Sequence, residues 1–278
     1  MKGVRKMVDL SEYKDAVEYI KRYFVKDLEK LEITSVIMYG SATYEKGFVK
    51  GISDLDICAF TNKMYTTNYE DIVNYIIRNT TENFIDKKPS IVVDRIADRI
   101  EFYIHHTQIS IDVTIMAPEL PNVENSKQTA IHDSLEILLG AFYQHGVPII
   151  GEIPQKKFVE DNFLPFYGDE LREARLNILI PRIKKYNARI ENCIEERNYD
   201  ILDYIYKSRG YFLKWLFIYN RKYPVNLQKH LDYQLSTILL LPQEEKQKLL
   251  FTGDENLFKL ASDYLQLVNS YLNEYEKI

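Results

Sequence analysis

The sequence predicts an α+β protein in which a mixed β-sheet with flanking helices precedes an all-α helical bundle. Short apolar or alternating segments typical of strands lie in the first half, at 33–39, 55–60, 99–106 and 109–115. From about residue 169 onward, apolar residues recur at helical spacing instead. We expect the boundary near 150–168, and assign 1–155 to the sheet domain and 156–278 to the helical bundle domain.

The composition excludes several classes of protein. A net charge of −5 argues against the wrapping of long nucleic acid, whose phosphates require many Lys and Arg side chains, but it does not exclude a local basic site. Cys58 and Cys193 are far apart and lie in apolar surroundings, which indicates reduced thiols rather than a disulfide framework. No signal peptide or membrane-spanning apolar run is present. We therefore predict a cytoplasmic protein without a membrane partner, whose oligomeric state the sequence does not determine.

The N-terminal elements follow from capping and apolar periodicity. Asp9, with a glutamate three residues later, is a capping-box pattern that predicts a helix to about Lys30. The apolar segment 33–39 predicts a buried strand that ends at Gly40-Ser41. After the strand at 55–60, Asn68 is the predicted N-cap of a helix that ends before residue 80.

Three further strands are expected between the helix that follows Asn68 and the helix predicted to start at Asn125 or Ser126. Residues 90–94 form the first of them, and 99–106 and 109–115 are predicted to pair as an antiparallel hairpin through a turn at 107–108. In the second of these strands, one face carries polar side chains that we expect near the sheet surface: Glu101, Tyr103 and His105.

The remaining segments are predominantly helical. A helix is predicted to start at Asn125 or Ser126 and to end at Gly146. The long helix at 170–196 is expected to break at Pro181. The other predicted helices cover 200–223, which Pro224 stops, and 228–239, 243–250 and 255–275.

One motif links the first two strands. Tyr39-Gly40-Ser41 is followed by a twelve-residue spacer and then by Asp54-Leu55-Asp56-Ile57. Gly40 lets the backbone approach a bulky anion, and Ser41 offers a hydroxyl to phosphate oxygens. Asp54 and Asp56 lie on one face of the strand with their Cα atoms about 6.6 Å apart. Their oxygens are placed to converge on one hard cation or on a metal pair.

This motif resembles the signature of the nucleotidyltransferase superfamily, which includes DNA polymerase β and the aminoglycoside and minimal nucleotidyltransferases. The resemblance covers Gly40, Ser41, Asp54 and Asp56, and implies a two-metal Mg²⁺ site with ATP or another nucleoside triphosphate as substrate. In that scheme Gly40 and Ser41 bind the triphosphate, while Asp54 and Asp56 are catalytic metal ligands.

Asp112 is the residue that would complete the set. The segment alternates, and its apolar face is formed by Ile109, Ile111 and Val113. Asp112 must therefore lie on the opposite face. The resemblance implies a third carboxylate from such a strand. It would bind the catalytic metal or take the proton from the attacking hydroxyl.

Basic residues of the second half are further candidates. Related two-domain nucleotidyltransferases have an aromatic helix that ends in a polar stretch, and the segment 211–224 is similar to it. The resemblance implies nucleotide binding by Lys214 and Arg221.

The resemblance implies transfer of a nucleoside monophosphate, AMP from ATP, to a hydroxyl of a small acceptor. An aminoglycoside-like antibiotic is the acceptor we favour, because an acidic cleft suits a polycation. Two alternatives stay open. One is synthesis of a nucleotide second messenger or an oligonucleotide, and the other is an antitoxin-like member that acts by binding a protein.

Overall fold

The structure is a computed structural model that describes residues 14–43, 53–80, 90–93, 98–106, 109–118, 138–162, 168–224, 230–251 and 256–277. Several predicted features lie outside these ranges. They are the capping box at Asp9, most of the spacer 42–53, the turn at 107–108, and the helix start at Asn125 or Ser126.

The described strands form one mixed sheet. They are β1 (Ile33–Tyr39), β2 (Leu55–Thr61), β3 (Ser90–Val92), β4 (Arg99–His106), β5 (Ile109–Met116) and β6 (Val147–Ile150). Their spatial order is β3-β4-β5-β2-β1-β6. The β2 and β5 strands run parallel, whereas each of the other neighbouring pairs is antiparallel. The predicted antiparallel pairing of β4 with β5 is therefore confirmed.

One face of this sheet packs against two helices, α1 (Lys14–Arg22) and α2 (Tyr69–Asn79). The alternating residues of β5 that point to this face are fully buried with residues of both helices. Asn68 caps α2 as predicted, because its side-chain oxygen accepts a hydrogen bond of 3.0 Å from the Glu70 amide. The first helix continues only as a π-helical turn over Tyr23–Asp27, and thus ends before Lys30. The apolar face of the sheet is therefore occupied, and the opposite face is the one that carries the aspartates.

Helices make up the C-terminal half, which confirms the α+β class. They are α3 (Lys156–Asn162), α4 (Asp169–Glu196), α5 (Ile201–Tyr219), α6 (Leu231–Thr237), α7 (Gln243–Leu250) and α8 (Leu257–Tyr275). A chain of hydrogen bonds joins α4, α5 and α8. Tyr264 donates to Ser208 at 2.9 Å, Ser208 donates to Asn187 at 2.7 Å, and Asn187 donates to Asn269 at 3.3 Å. Because each member has a partner, this network is compatible with its burial in the bundle.

Two predictions for the helices of the C-terminal half were wrong. The break at Pro181 does not occur, since α4 continues through it with Leu179 and Ile183 buried on either side. Packing against α5 thus outweighs the lost backbone hydrogen bond. The α5 helix ends at Tyr219 rather than at residue 223, because Arg221 adopts a left-handed φ of 54° and the next amide bonds back to Phe217.

The described residues divide into two units. The first holds those up to 118 together with 138–161, and the second holds those from 162 onward. We call them the sheet unit and the helical unit. The assignment of 1–155 as a catalytic domain and of 156–278 as a bundle domain stays a prediction. None of the helices in the described ranges has both the length and the apolar character needed to cross a membrane.

Candidate active site

Four side chains form a line across the sheet, on the face opposite α1 and α2. The register pairs Tyr39 with Asp56, Asp56 with Asp112, and Asp112 with Tyr103. Directly paired residues of neighbouring strands point to the same face of a sheet. We call this line the carboxylate row. At its centre, two half-buried aspartates lie one strand spacing apart, which is about 4.8 Å.

The turn after β1 is built around Asp56. Gly40 has a φ of +68°, and a Cβ atom at this position would lie 2.1 Å from the Asp56 Oδ2 atom. Any larger residue would therefore displace the carboxylate. The turn Gly40–Thr43 is held by a hydrogen bond of 2.8 Å that the Thr43 hydroxyl donates to the Gly40 carbonyl. Ser41 is half-buried within this turn.

Tyr103 closes the row on the β4 side. Its hydroxyl donates a hydrogen bond to the Asp112 carboxylate. The negative charge of Asp112, together with partial burial, raises the pKa of Tyr103 to about 12. Asp54 also raises the pKa of Tyr103, so the charge of Asp54 acts on the same end of the row. Tyr103 is therefore a neutral hydrogen-bond donor to Asp112 at physiological pH.

Tyr39 closes the row on the β1 side. Burial raises the pKa of its hydroxyl well above the usual value, and the charges of Asp56 and Asp112 add to this shift. Its ring packs edge-on against Phe142, with the ring centroids 4.3 Å apart. Sequence reasoning used Tyr39 only as the residue before Gly40. Its place beside Asp56 depends on the β1–β2 register, which the sequence does not display.

The other polar residues of β4 lie farther along the strand. Glu101 forms an ion pair with Arg99, whose Nε atom lies 2.6 Å from the Glu101 carboxylate. His105 is exposed and pairs with Ser110. Of these three candidates on β4, Tyr103 is the one that pairs with Asp112.

The row offers oxygen ligands suited to Mg²⁺. This ion is commonly held by one or two carboxylates together with substrate phosphates and water. Asp56 and Asp112 supply two carboxylates from adjacent strands. In the part of the chain that the structure describes, no three His, Cys, Asp or Glu side chains are gathered as metal ligands. The three-ligand set that includes Asp54 therefore stays a prediction.

The basic candidates Lys214 and Arg221 belong to the helical unit. Lys214 lies on α5 and is half-buried. The Arg221 guanidinium lies 2.5 Å from the carboxylate of Asp169, the first residue of α4. Nucleotide binding by either residue stays a prediction.

Comparisons with known proteins add little to this geometry. No protein-family model and no curated protein matches the sequence. Among solved structures, the chain is similar to a nucleotidyltransferase-like protein from Exiguobacterium sibiricum, with a TM-score of 0.45 and 8% sequence identity. The match covers 93% of this chain and 75% of that chain. At this level of similarity, we transfer no property of that protein to this chain.

Proposed function

We propose that this protein is a Mg²⁺-dependent nucleotidyltransferase that moves a nucleoside monophosphate, AMP from ATP, to a hydroxyl of a small acceptor. The observation that most supports this is the pairing of Asp56 with Asp112 on neighbouring parallel strands. The turn at Gly40 lies beside them, so close to Asp56 that a Cβ on Gly40 would overlap its Oδ2 atom. Two adjacent carboxylates next to a half-buried glycine turn are the elements that a metal–triphosphate site requires.

Each residue of the site has a proposed role. Gly40 and Ser41 bind the β- and γ-phosphates through the backbone of the turn and the serine hydroxyl. Asp54 and Asp56 bind Mg²⁺, which when present would neutralise the charge that develops on the leaving pyrophosphate. Asp112 shares a metal or acts as the general base.

The reaction is an in-line displacement at phosphorus. The acceptor oxygen forms a bond to the α-phosphorus while the bond to the bridging oxygen of the β-phosphate breaks, and pyrophosphate leaves with that oxygen. The proton of the acceptor hydroxyl passes to Asp112, which must lie within hydrogen-bond distance of it, directly or through one water. Tyr103 holds the carboxylate of Asp112 by its hydrogen bond.

Pyrophosphate release tests this proposal. The protein is incubated with Mg²⁺ and each labelled nucleoside triphosphate, against a panel of aminoglycosides, other small polyols and oligonucleotide primers. We expect release with ATP that depends on a small acceptor, and a labelled acceptor product. Extension of primers would instead support oligonucleotide synthesis. Absence of release with every nucleotide and acceptor would refute the proposal.

The variant Asp112→Asn separates binding from chemistry. If this residue is the base, transfer should fall by about 10²- to 10⁴-fold while affinity for Mg²⁺–ATP stays close to that of the parent. Asp71→Asn is the matched control, because Asp71 lies in the first turn of α2 on the covered side of the sheet. Transfer by Asp112→Asn at the parental rate would remove Asp112 from the mechanism.

A further inference from the structure

A second charged surface lies in the helical unit, on α4 and α5. Three cations of α4 and three tyrosines of the two helices alternate there: Arg182, Lys185, Arg189, Tyr186, Tyr204 and Tyr211. We call this set the basic–aromatic ladder. On α4 its members recur at i, i+3, i+4 and i+7, so they share one helix face. The proposed reaction uses none of them.

The rings and the cations are in direct contact. The Arg182 guanidinium lies 5.6 Å from the ring centroid of Tyr211, and Tyr211 stacks on Tyr186 at 5.8 Å with an interplanar angle of 14°. The Arg189 guanidinium lies 5.6 Å from the Tyr186 ring and 5.3 Å from the Tyr204 ring. The ladder is therefore one continuous surface of rings and guanidinium groups.

Its cations differ from the lysines of the helical unit that form ion pairs. Lys184, Lys207 and Lys248 each lie 2.5–3.0 Å from a carboxylate. Among the described residues, Arg182, Lys185 and Arg189 contact rings and have no acidic partner. Lys185 and Arg189 are also exposed. Their charges are thus available to an external anion.

We propose that the basic–aromatic ladder binds single-stranded nucleic acid. Surfaces of this kind bind strands by pairing cations with phosphates and by stacking bases on aromatic rings or guanidinium planes. An acidic peptide would pair with the charges alone, whereas a base can also stack on the guanidinium plane of Arg189, which is exposed. The distance from Arg182 to Arg189 along α4 is about 10 Å, so the surface holds only a few nucleotides. The chain's net charge of −5 does not oppose this, because binding depends on the local patch.

The first test measures charge. Binding of a fluorescein-labelled twelve-nucleotide oligouridylate is followed by fluorescence anisotropy at several salt concentrations. If three phosphates are contacted, a plot of the logarithm of the binding constant against the logarithm of the salt concentration should have a slope of about −2. The double variant Arg182→Gln, Arg189→Gln should bind about tenfold more weakly, with a slope of about −0.7. Lys184→Gln with Lys248→Gln removes the same charge from ion-paired sites and should leave binding within about twofold of the parent.

The second test measures stacking. Tyr186→Leu should weaken oligouridylate binding about tenfold, whereas Tyr186→Phe keeps the ring and should preserve it. Inorganic polyphosphate and poly-glutamate are the competitors, and both should compete less well than unlabelled oligouridylate. If Tyr186→Leu unfolds, as a thermal melt would show, the arginine variant and the competitors decide the outcome.

Three results would overturn the proposal. The first is no binding of oligouridylate at 50 mM salt. The second is unchanged binding by the double arginine variant. The third is equal competition by polyphosphate or poly-glutamate, which would indicate an anion surface that does not select nucleic acid.

Discussion

The carboxylate row and the basic–aromatic ladder use the same residue type to support opposite charges. In the row, Tyr103 presents its hydroxyl to Asp112 and donates a hydrogen bond. In the ladder, Tyr186 presents its ring face to Arg189, whose positive charge is attracted by the π-electrons. The hydroxyl of a tyrosine therefore stabilises an anion, and the face of its ring stabilises a cation. This gives a physical role to several of the 22 tyrosines of the chain.

The two surfaces also differ in how they are built. The row is assembled from four strands, and its order depends on the register of each pairing. The ladder is assembled from two helices that are consecutive in the described chain, and its cations all lie on one of them. Substitutions in the carboxylate row should therefore abolish nucleotidyl transfer without affecting oligouridylate binding. Substitutions in the basic–aromatic ladder should weaken oligouridylate binding without affecting transfer.

The largest effect is expected for Asp56→Asn. Loss of the proposed metal ligand should lower pyrophosphate release by about 10³-fold, while oligouridylate binding stays at the parental value. Steady-state kinetics with saturating Mg²⁺, together with the anisotropy assay, checks both halves. Near-normal turnover would contradict the metal-ligand assignment, and a loss of oligouridylate binding would contradict the independence of the two surfaces.

Gly40→Ala should have the next largest effect. The added Cβ would displace the Asp56 Oδ2 atom, and a misplacement of about 1 Å can lower a rate about 10²-fold. The left-handed backbone adds about 1–2 kcal/mol of destabilisation. Gly168→Ala is the matched control. It has a φ of +53°, but its Cβ would have no neighbour closer than 3.9 Å. Transfer rates and urea unfolding should show a loss of stability in both variants and a loss of activity in Gly40→Ala alone.

Ser41→Ala should weaken binding of Mg²⁺–ATP about 10- to 100-fold, because a hydrogen bond to a charged phosphate contributes roughly 1.5–3 kcal/mol. Isothermal titration calorimetry measures this directly. Ser35→Ala is the control within β1, because Ser35 is buried and its hydroxyl has no hydrogen-bond partner among the described residues. Equal affinities for ATP in the two variants would place the triphosphate elsewhere.

The smallest effect is expected for Tyr103→Phe. Removal of the hydroxyl should lower kcat about fivefold, the equivalent of about 1 kcal/mol, and leave the KM for ATP unchanged. The same substitution in the basic–aromatic ladder, Tyr186→Phe, should leave oligouridylate binding unchanged because the ring remains. A parental kcat for Tyr103→Phe would show that its hydrogen bond to Asp112 does not assist the reaction.

Local patterns in the sequence predicted much of the sheet unit. Alternation in β5 placed Asp112 opposite the buried isoleucines, and the structure confirms that Ile111 and Ile115 are fully buried. The Asn68 cap was likewise predictable, since it depends on residues two positions apart. These features depend on interactions between near neighbours, which a sequence displays directly.

The sequence by itself determined the α+β class, the inward and outward faces of β2, β4 and β5, and the candidate residues Gly40, Ser41, Asp54, Asp56 and Asp112. Only the tertiary structure decided that β5 lies parallel to β2 with Asp112 beside Asp56. It further decided that the Asp56 carboxylate packs in the space that a Cβ on residue 40 would fill. It also decided that α4 continues through Pro181. The physical reason is that strand register and helix packing are set by contacts between distant segments, whose combined free energy outweighs local preference.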